Sequence, residues 1–191
     1  MRVAEIGTGL WSWTGLHPDW TPADGGPDGW EQEVSCVYYE APGAIVLVDP
    51  LVSPEDEERF YRALDRDVER AGAPVRILLT IESHRRSSAE LAARYGGTVG
   101  EVPDGVEVPV SAWGERVFWI PEHRTLVFGD VVLGREGGLR LPHAWIGEEH
   151  YRQVVDGLRP LLALPIERVL VGHGEPVLSD GRRALTRALE A

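Results

Sequence analysis

The sequence contains no lysine, and arginine supplies all 19 of its basic residues. These face 31 acidic residues, so the formal net charge is -12. A strongly negative chain repels phosphate backbones and anionic lipid surfaces. No stretch combines several arginines with interleaved aromatic residues, the pattern expected of a nucleic-acid-binding surface. We therefore expect neither a nucleic-acid partner nor a membrane partner.

Long hydrophobic runs and cysteine pairs are also missing. The longest apolar runs, such as Ala44 to Val48, have the length of a strand and are far too short to span a bilayer. The N-terminus lacks the charged and apolar regions of a signal peptide, so we expect a cytoplasmic protein. The single cysteine, Cys36, cannot form an internal disulfide, and its apolar surroundings in the sequence favour a buried structural thiol.

At 191 residues with 43% hydrophobic content, the chain can bury one substantial core, and we predict a single domain over residues 1–191. Apolar patterning predicts eight strands, at residues 3–6, 34–40, 44–49, 75–80, 106–110, 116–120, 125–128 and 168–171. It predicts four helices, at residues 54–71, 87–95, 148–163 and 180–189, the last with Asp180 as its N-cap. Residues 11–30 are rich in Trp, Pro, Gly and Asp, which predicts an irregular loop whose tryptophans pack onto the domain or line a pocket.

Four short motifs follow one another along the chain. One strand ends in Asp49, a second ends in Thr80 before a loop and helix, a third precedes Gly129-Asp130, and the last precedes Gly172-His173-Gly174. In this order the motifs resemble the landmarks of the metallo-β-lactamase superfamily. The resemblance implies an α/β protein with a four-layer αββα sandwich of two sheets between helices. We also expect Asp49 to support the loop before the first helix through hydrogen bonds to backbone amides.

The resemblance implies a metal site that has lost most of its ligands. In the superfamily the loop after the threonine reads His-x-His-x-Asp-His and helps to hold two zinc ions, but here Ile81 and Ser83 stand at the first two histidine positions. Arg85 and Arg86 replace the Asp and the next His, and residues 110–114 lack the histidine of the following turn. Because only Asp130 and His173 match, we expect no dinuclear zinc site and no cofactor.

Two arrangements of the altered site remain open. In the first, the guanidinium of Arg86 replaces the metal and pairs with the carboxylate of Asp130, since a buried carboxylate without a cation is costly. In the second, His84, which lies one residue out of step with the superfamily ligands, joins Asp130, His173 and Glu82 around a single zinc or other divalent ion.

The resulting hypotheses belong to three classes of protein. The first is a weak or metal-independent hydrolase of a small ester, thioester or lactone, with His84 or His173 as general base and Arg86 steadying an oxyanion. The second is a non-catalytic domain that binds a small, anionic molecule, and the third is an interaction protein whose site has decayed. Substrate contacts are predicted for Arg85, Trp20 and His143. An exposed tryptophan cluster within residues 11–30 would instead indicate a homodimer contact.

Overall fold

The structure is a computed structural model that describes residues 1–26 and 28–191. The described chain forms two compact units, each with its own main sheet. The first unit comprises residues 1–20 and 33–105, and the second comprises residues 21–32 and 106–191. The single domain over residues 1–191 stays a prediction.

The first unit contains a six-stranded sheet in which the strands lie in chain order. They are β1 (Val3–Gly7), β2 (Leu10–Leu16), β3 (Glu33–Ala41), β4 (Ala44–Val48), β5 (Val75–Leu78) and β6 (Thr98–Val99). The first four are antiparallel neighbours, whereas β4, β5 and β6 run parallel. All five residues of β4 are buried, as expected for a central strand without polar residues. Two helices, α1 (Glu57–Ala71) and α2 (Ser88–Tyr95), provide the parallel crossovers.

Helix α1 shows how local sequence sets the limits of an element. Phe60 and Leu64 are one helical turn apart, and both are buried. Glu57 and Glu58 occupy the first turn, where the positive end of the helix dipole favours acidic groups. The helix ends at Gly72, which has a φ of 58° and donates its N–H to the carbonyl of Val68.

The second unit contains a four-stranded sheet and a two-stranded hairpin. The sheet has the order β12-β9-β8-β7, built from β7 (Glu107–Ala112), β8 (Glu115–Ile120), β9 (Thr125–Phe128) and β12 (Arg168–Val171). Strands β9 and β12 are parallel, and the other pairs are antiparallel. The hairpin joins β10 (Leu133–Arg135) to β11 (Gly138–Arg140). Helices α3 (His143–Ile146), α4 (Glu148–Leu158) and α5 (Gly181–Glu190) complete the unit.

The core of the second unit combines its sheet with its helices. Strands β8, β9 and β12 contribute one apolar face, and α4 and α5 contribute another. Buried side chains from these elements include Val117, Trp119, Leu126, Phe128, Val154, Leu158, Val169, Val171, Leu185 and Leu189. Burial of aliphatic and aromatic side chains of this size contributes about 1.5–3 kcal/mol each and is the main source of stability.

The eight predicted strands and four predicted helices are confirmed, with shifts of a few residues at their ends. The irregular loop predicted for residues 11–30 is wrong in its first part, because β2 covers Leu10–Leu16 and pairs with both β1 and β3. Trp13 is buried there, and its indole N–H donates to the carbonyl of Leu51 at 2.8 Å. Asp180 occupies the predicted N-cap position of α5, but it has a φ of 54° and makes no side-chain capping bond.

Candidate functional site

In the first unit, a buried polar cluster joins the ends of two parallel strands. Asp49 follows β4, and its Oδ1 accepts the backbone N–H of Thr80 at 2.8 Å, two residues after β5. Its Oδ2 accepts the hydroxyl of Thr80 and lies 3.0 Å from Nδ1 of His84. His84 is buried in the short 3-10 turn Glu82–Arg85. The amides of the loop before α1 were the predicted partners of Asp49; the hydrogen bonds go instead to Thr80 and His84.

Arg86 is fixed within the same unit by the backbone of the strand end. Its Nη1 donates to the carbonyl of Asp49 at 3.2 Å. The guanidinium also lies beside the thiol of Cys36, where it opposes the effect of burial; burial is the larger effect and raises the pKa of Cys36 to about 11. The predicted pair of Arg86 with Asp130 would join the two units and stays a prediction.

Two residues of the first unit, Arg85 and Trp20, were predicted to contact substrate, and both have partners nearby in the sequence. Arg85 is exposed and forms an ion pair with Glu82 at 2.5 Å, within the same turn. Trp20 is half-buried, and its backbone N–H donates to the carbonyl of His17 at 3.3 Å. A substrate-binding role for either side chain stays a prediction.

In the second unit, Asp130 and His173 meet at one edge of the sheet. Asp130 lies two residues beyond β9, and His173 lies two residues beyond β12, its parallel neighbour. Because parallel strands end at the same edge, the side chains that follow them converge. Nε2 of His173 lies 3.2 Å from Oδ1 of Asp130. The structure thus brings together the two residues that match the superfamily motif.

The glycines before and after His173 allow this convergence. A Cβ on Gly172 would lie 2.8 Å from the carbonyl oxygen of Gly129. Gly174 has a φ of 81°, and a Cβ there would overlap the carbonyl oxygen of Gly134. Larger residues would push the His173 turn away from the Asp130 turn. The Gly-His-Gly sequence is therefore a requirement of close backbone packing.

Two tryptophan rings flank the imidazole of His173. Trp30 meets it edge-on with 4.9 Å between ring centroids, and Trp145 does so at 6.0 Å. The indole N–H of Trp145 donates to the carbonyl of Asp28 at 2.7 Å, and Nη2 of Arg140 donates to the carbonyl of Gly29 at 3.2 Å. These bonds hold residues 28–30 in place beside His173. Trp30 is therefore a tryptophan of the 11–30 segment that contacts a predicted site residue.

From the segment that contains Trp145, the sequence predicted a substrate contact for His143 and none for the tryptophan. His143 is exposed, with its ring centroid 4.5 Å from that of Tyr151 and its Nε2 3.1 Å from Glu148. Its predicted substrate contact stays a prediction. The signal that could have identified Trp145 is a large aromatic residue in a connection that leads away from the Asp130 motif.

Sequence reasoning also missed Glu115, the first residue of β8. Its side chain is fully buried and accepts three backbone N–H groups, from Gly129 at 2.7 Å, Asp130 at 2.6 Å and Val131 at 2.8 Å. Burial raises its pKa to about 7, although the three N–H donors act in the opposite direction. A lone acidic residue at the start of an apolar strand resembles an ordinary solvent-exposed turn residue, so the sequence contains no signal for this role.

The candidate metal ligands in the described part of the chain are His84 of the first unit and Asp130 and His173 of the second. Imidazole nitrogens and carboxylate oxygens are ligands that catalytic zinc sites use, with one position left for water. The 3.2 Å between Oδ1 of Asp130 and Nε2 of His173 is close to the ~3.3 Å that separates two donors on one tetrahedral zinc ion. The Asp130–His173 pair fits a single divalent ion, and the absence of a cofactor expected from the sequence stays a prediction.

No protein-family model and no curated protein matches the sequence. Solved structures do match over nearly the whole chain. VMB-1 at pH 5.5 has a TM-score of 0.64 at 11% identity, covering 99% of this chain and 94% of that one. An NDM_FIM-1-like metallo-β-lactamase from Erythrobacter litoralis in the mono-zinc form has a TM-score of 0.61 at 14% identity, covering 99% and 94%. A metallo-β-lactamase from Pontibacter korlensis has a TM-score of 0.56 at 16% identity, covering 99% and 97%.

The chain therefore has the metallo-β-lactamase fold, an α/β sandwich, and the predicted fold class is confirmed. The loss of most zinc ligands stays a prediction from the sequence. In the described part of the chain, no helix is both long enough and apolar enough to cross a membrane.

Proposed function

We propose that this protein is a hydrolase-like member of the metallo-β-lactamase fold that holds one divalent metal ion through Asp130 and His173. The observation that carries the proposal is the 3.2 Å approach of Asp130 Oδ1 to His173 Nε2 at the edge where β9 and β12 end. A carboxylate oxygen and an imidazole nitrogen at this separation suit one shared tetrahedral ion. The mono-zinc form of the Erythrobacter litoralis enzyme supports a single-metal state on this fold.

The surroundings of His84 within the first unit support the proposal that it is a metal-binding histidine. Histidines that bind metals usually donate their other ring N–H to a carboxylate, which fixes the tautomer and orients the ring. Nδ1 of His84 lies 3.0 Å from Oδ2 of Asp49, and Thr80 holds both oxygens of that carboxylate. Nε2 is then the nitrogen that would bind a metal ion.

In hydrolysis, the chain's own residues would orient the metal ligands and limit the access of water. A bound divalent ion would supply a water of lowered pKa and polarise a carbonyl. Asp49 and Thr80 hold His84 in one orientation, and the rings of Trp30 and Trp145 flank His173 and restrict the approach of bulk water. Their apolar faces suit the acyl or ring portion of a small ester, thioester or lactone, which we propose as the substrate class.

Our second candidate is a non-catalytic domain that binds a small anion, favoured by the aromatic rings around His173, which offer apolar contacts without a nucleophile.

The test is an activity screen of the protein loaded with Zn²⁺, Mn²⁺ or Co²⁺ against p-nitrophenyl esters, acyl thioesters and γ- and δ-lactones. We expect metal-dependent hydrolysis that falls at least 100-fold in His173→Gln. The matched control is His150→Gln, which changes an exposed histidine at the start of α4 and leaves the rate unchanged. If the loaded protein hydrolyses none of these substrates but carboxylate ligands raise its melting temperature, the binding-domain candidate replaces the hydrolase.

A further inference from the structure

The carboxylate of Glu115 is hydrogen-bonded to the backbone of the turn that carries Asp130. Three consecutive residues of this turn, Gly129, Asp130 and Val131, direct their N–H groups at the two carboxylate oxygens over 2.6 to 2.8 Å. The residue is 0% exposed, although acidic side chains are rarely buried to this extent. Because burial of a carboxylate is costly unless strong hydrogen bonds compensate it, the buried position of Glu115 calls for a physical reason.

We infer that Glu115 is a positioning residue for Asp130, which it holds through the backbone so that the Asp130 carboxylate meets His173. Hydrogen bonds to an ionised acceptor are about twice as strong as those between neutral groups. Three of them fix the Cα of Asp130 and the direction in which its side chain leaves the turn. The result is the 3.2 Å contact between Oδ1 of Asp130 and Nε2 of His173.

An uncharged residue could not make the same set of bonds. A glutamine would place an NH₂ group where a carboxylate oxygen now accepts, so it would face a backbone N–H with a donor. At least one of the three amides would lose its acceptor, and the turn would relax. An aspartate keeps the charge and both oxygens but is one methylene shorter, so we expect it to restore part of the effect.

This inference rests on the proposed function, because its main measurement is the affinity for Co²⁺ at pH 8. We expect Glu115→Gln to weaken Co²⁺ binding about 10- to 100-fold, the range observed for residues that orient metal ligands. Glu115→Asp should recover part of that loss. The matched control is Thr125→Val, which removes another buried polar group from the same sheet, a hydroxyl bonded to the carbonyl of His123. It should lower the melting temperature without changing Co²⁺ affinity.

A double variant separates positioning from general destabilisation. If Glu115 acts through Asp130, Glu115→Gln adds nothing to the loss caused by Asp130→Asn, and the double variant binds Co²⁺ as weakly as Asp130→Asn alone. Additive losses, or unchanged affinity in Glu115→Gln, would overturn the inference.

A measurement on the metal-free protein distinguishes failure of this inference from failure of the proposed function. The ¹⁵N resonances of the His173 ring report its contact with Asp130 directly. We expect Glu115→Gln to shift them towards their values in Asp130→Asn, while Thr125→Val leaves them in place. If the wild type binds no metal but the resonances shift, the metal site is wrong and the positioning role holds. If they do not shift in Glu115→Gln, the positioning role is wrong.

Discussion

Nδ1 of His84 lies 3.0 Å from Oδ2 of Asp49, and both side chains are buried. The contact links the turn after β5 to the end of β4, and Thr80 strengthens it by donating its N–H and its hydroxyl to the same carboxylate. A carboxylate in this position favours the tautomer with the proton on Nδ1. The pair therefore explains why an isolated histidine in the loop is held in one orientation.

Replacement of Asp49 tests this pair. Asp49→Asn keeps the size of the side chain but removes its charge, so we expect Zn²⁺ affinity to fall about 10- to 100-fold. Competition with a chromophoric chelator measures the change. The matched control is Asp65→Asn, which removes an acidic group of the same unit that pairs with Arg94 near the surface. Equal affinities for Asp49→Asn and wild type would mean that His84 is not oriented for metal binding.

Replacement of Gly134 tests the close packing around His173. A Cβ on Gly134 would overlap the backbone of Glu175, so Gly134→Ala should lower the free energy of unfolding by about 1–3 kcal/mol and weaken Zn²⁺ binding. Urea denaturation and metal titration measure the two effects. Gly138→Ala, in the other strand of the same hairpin, has no atom within 4 Å of the added Cβ and should change neither. If Gly134→Ala were as stable as wild type, the backbone at Gly134 would not be tightly packed against Glu175.

Those parts of the fold that depend on apolar periodicity were predictable. The alternation and length of the apolar runs identified β3, β4, β8 and β9, because each strand buries at least one face. Strand β2 was missed because its Trp, Ser, Thr and Gly residues resemble a loop, and its pairing with β1 and β3 overrides that local preference. Strands of two or three residues, such as β6 and β10, are too short to produce a pattern.

The pH dependence of stability reports on Glu115. Burial raises its pKa from 4.5 to about 7, so between these values the unfolded chain has lost the proton that the folded chain still holds. The folded state binds more protons there, and stability falls as pH rises through this window, by about 3 kcal/mol in total.

The free energy of unfolding, measured by urea denaturation from pH 4 to pH 8 for wild type and Glu115→Gln, gives this contribution as a difference. We expect the advantage of wild type over the variant to shrink with rising pH and to level off above pH 7. An advantage that is constant or grows across the range would mean that the glutamate is ionised throughout.

Cys36 should be unreactive in the folded protein. Burial raises its pKa to about 11, so the nucleophilic thiolate is scarce at pH 8 and is also shielded from reagents. Labelling with iodoacetamide at pH 8 should be at least 100-fold slower in the native protein than in urea. Native labelling at the rate of the unfolded chain would contradict the buried structural role that the sequence indicated.

The candidate site was predictable only where a side chain follows a strand in a motif. Asp130 and His173 were identified because parallel strands place such residues at one edge, and the structure brings them into contact. Glu115, Asp49 as the partner of His84, and Trp145 were not identified, because each acts through contacts between residues distant in the chain. Single-sequence patterns contain no record of such contacts.

The most direct test is the anomalous diffraction of crystals grown with Zn²⁺, collected on both sides of the zinc absorption edge. The account predicts one peak per chain, about 2.0–2.2 Å from Nε2 of His173 and a carboxylate oxygen of Asp130. Asp130→Asn crystals grown in the same way should show that peak weakened or lost. Two peaks bound by protein ligands, or no peak beside Asp130 and His173, would contradict the single-metal site.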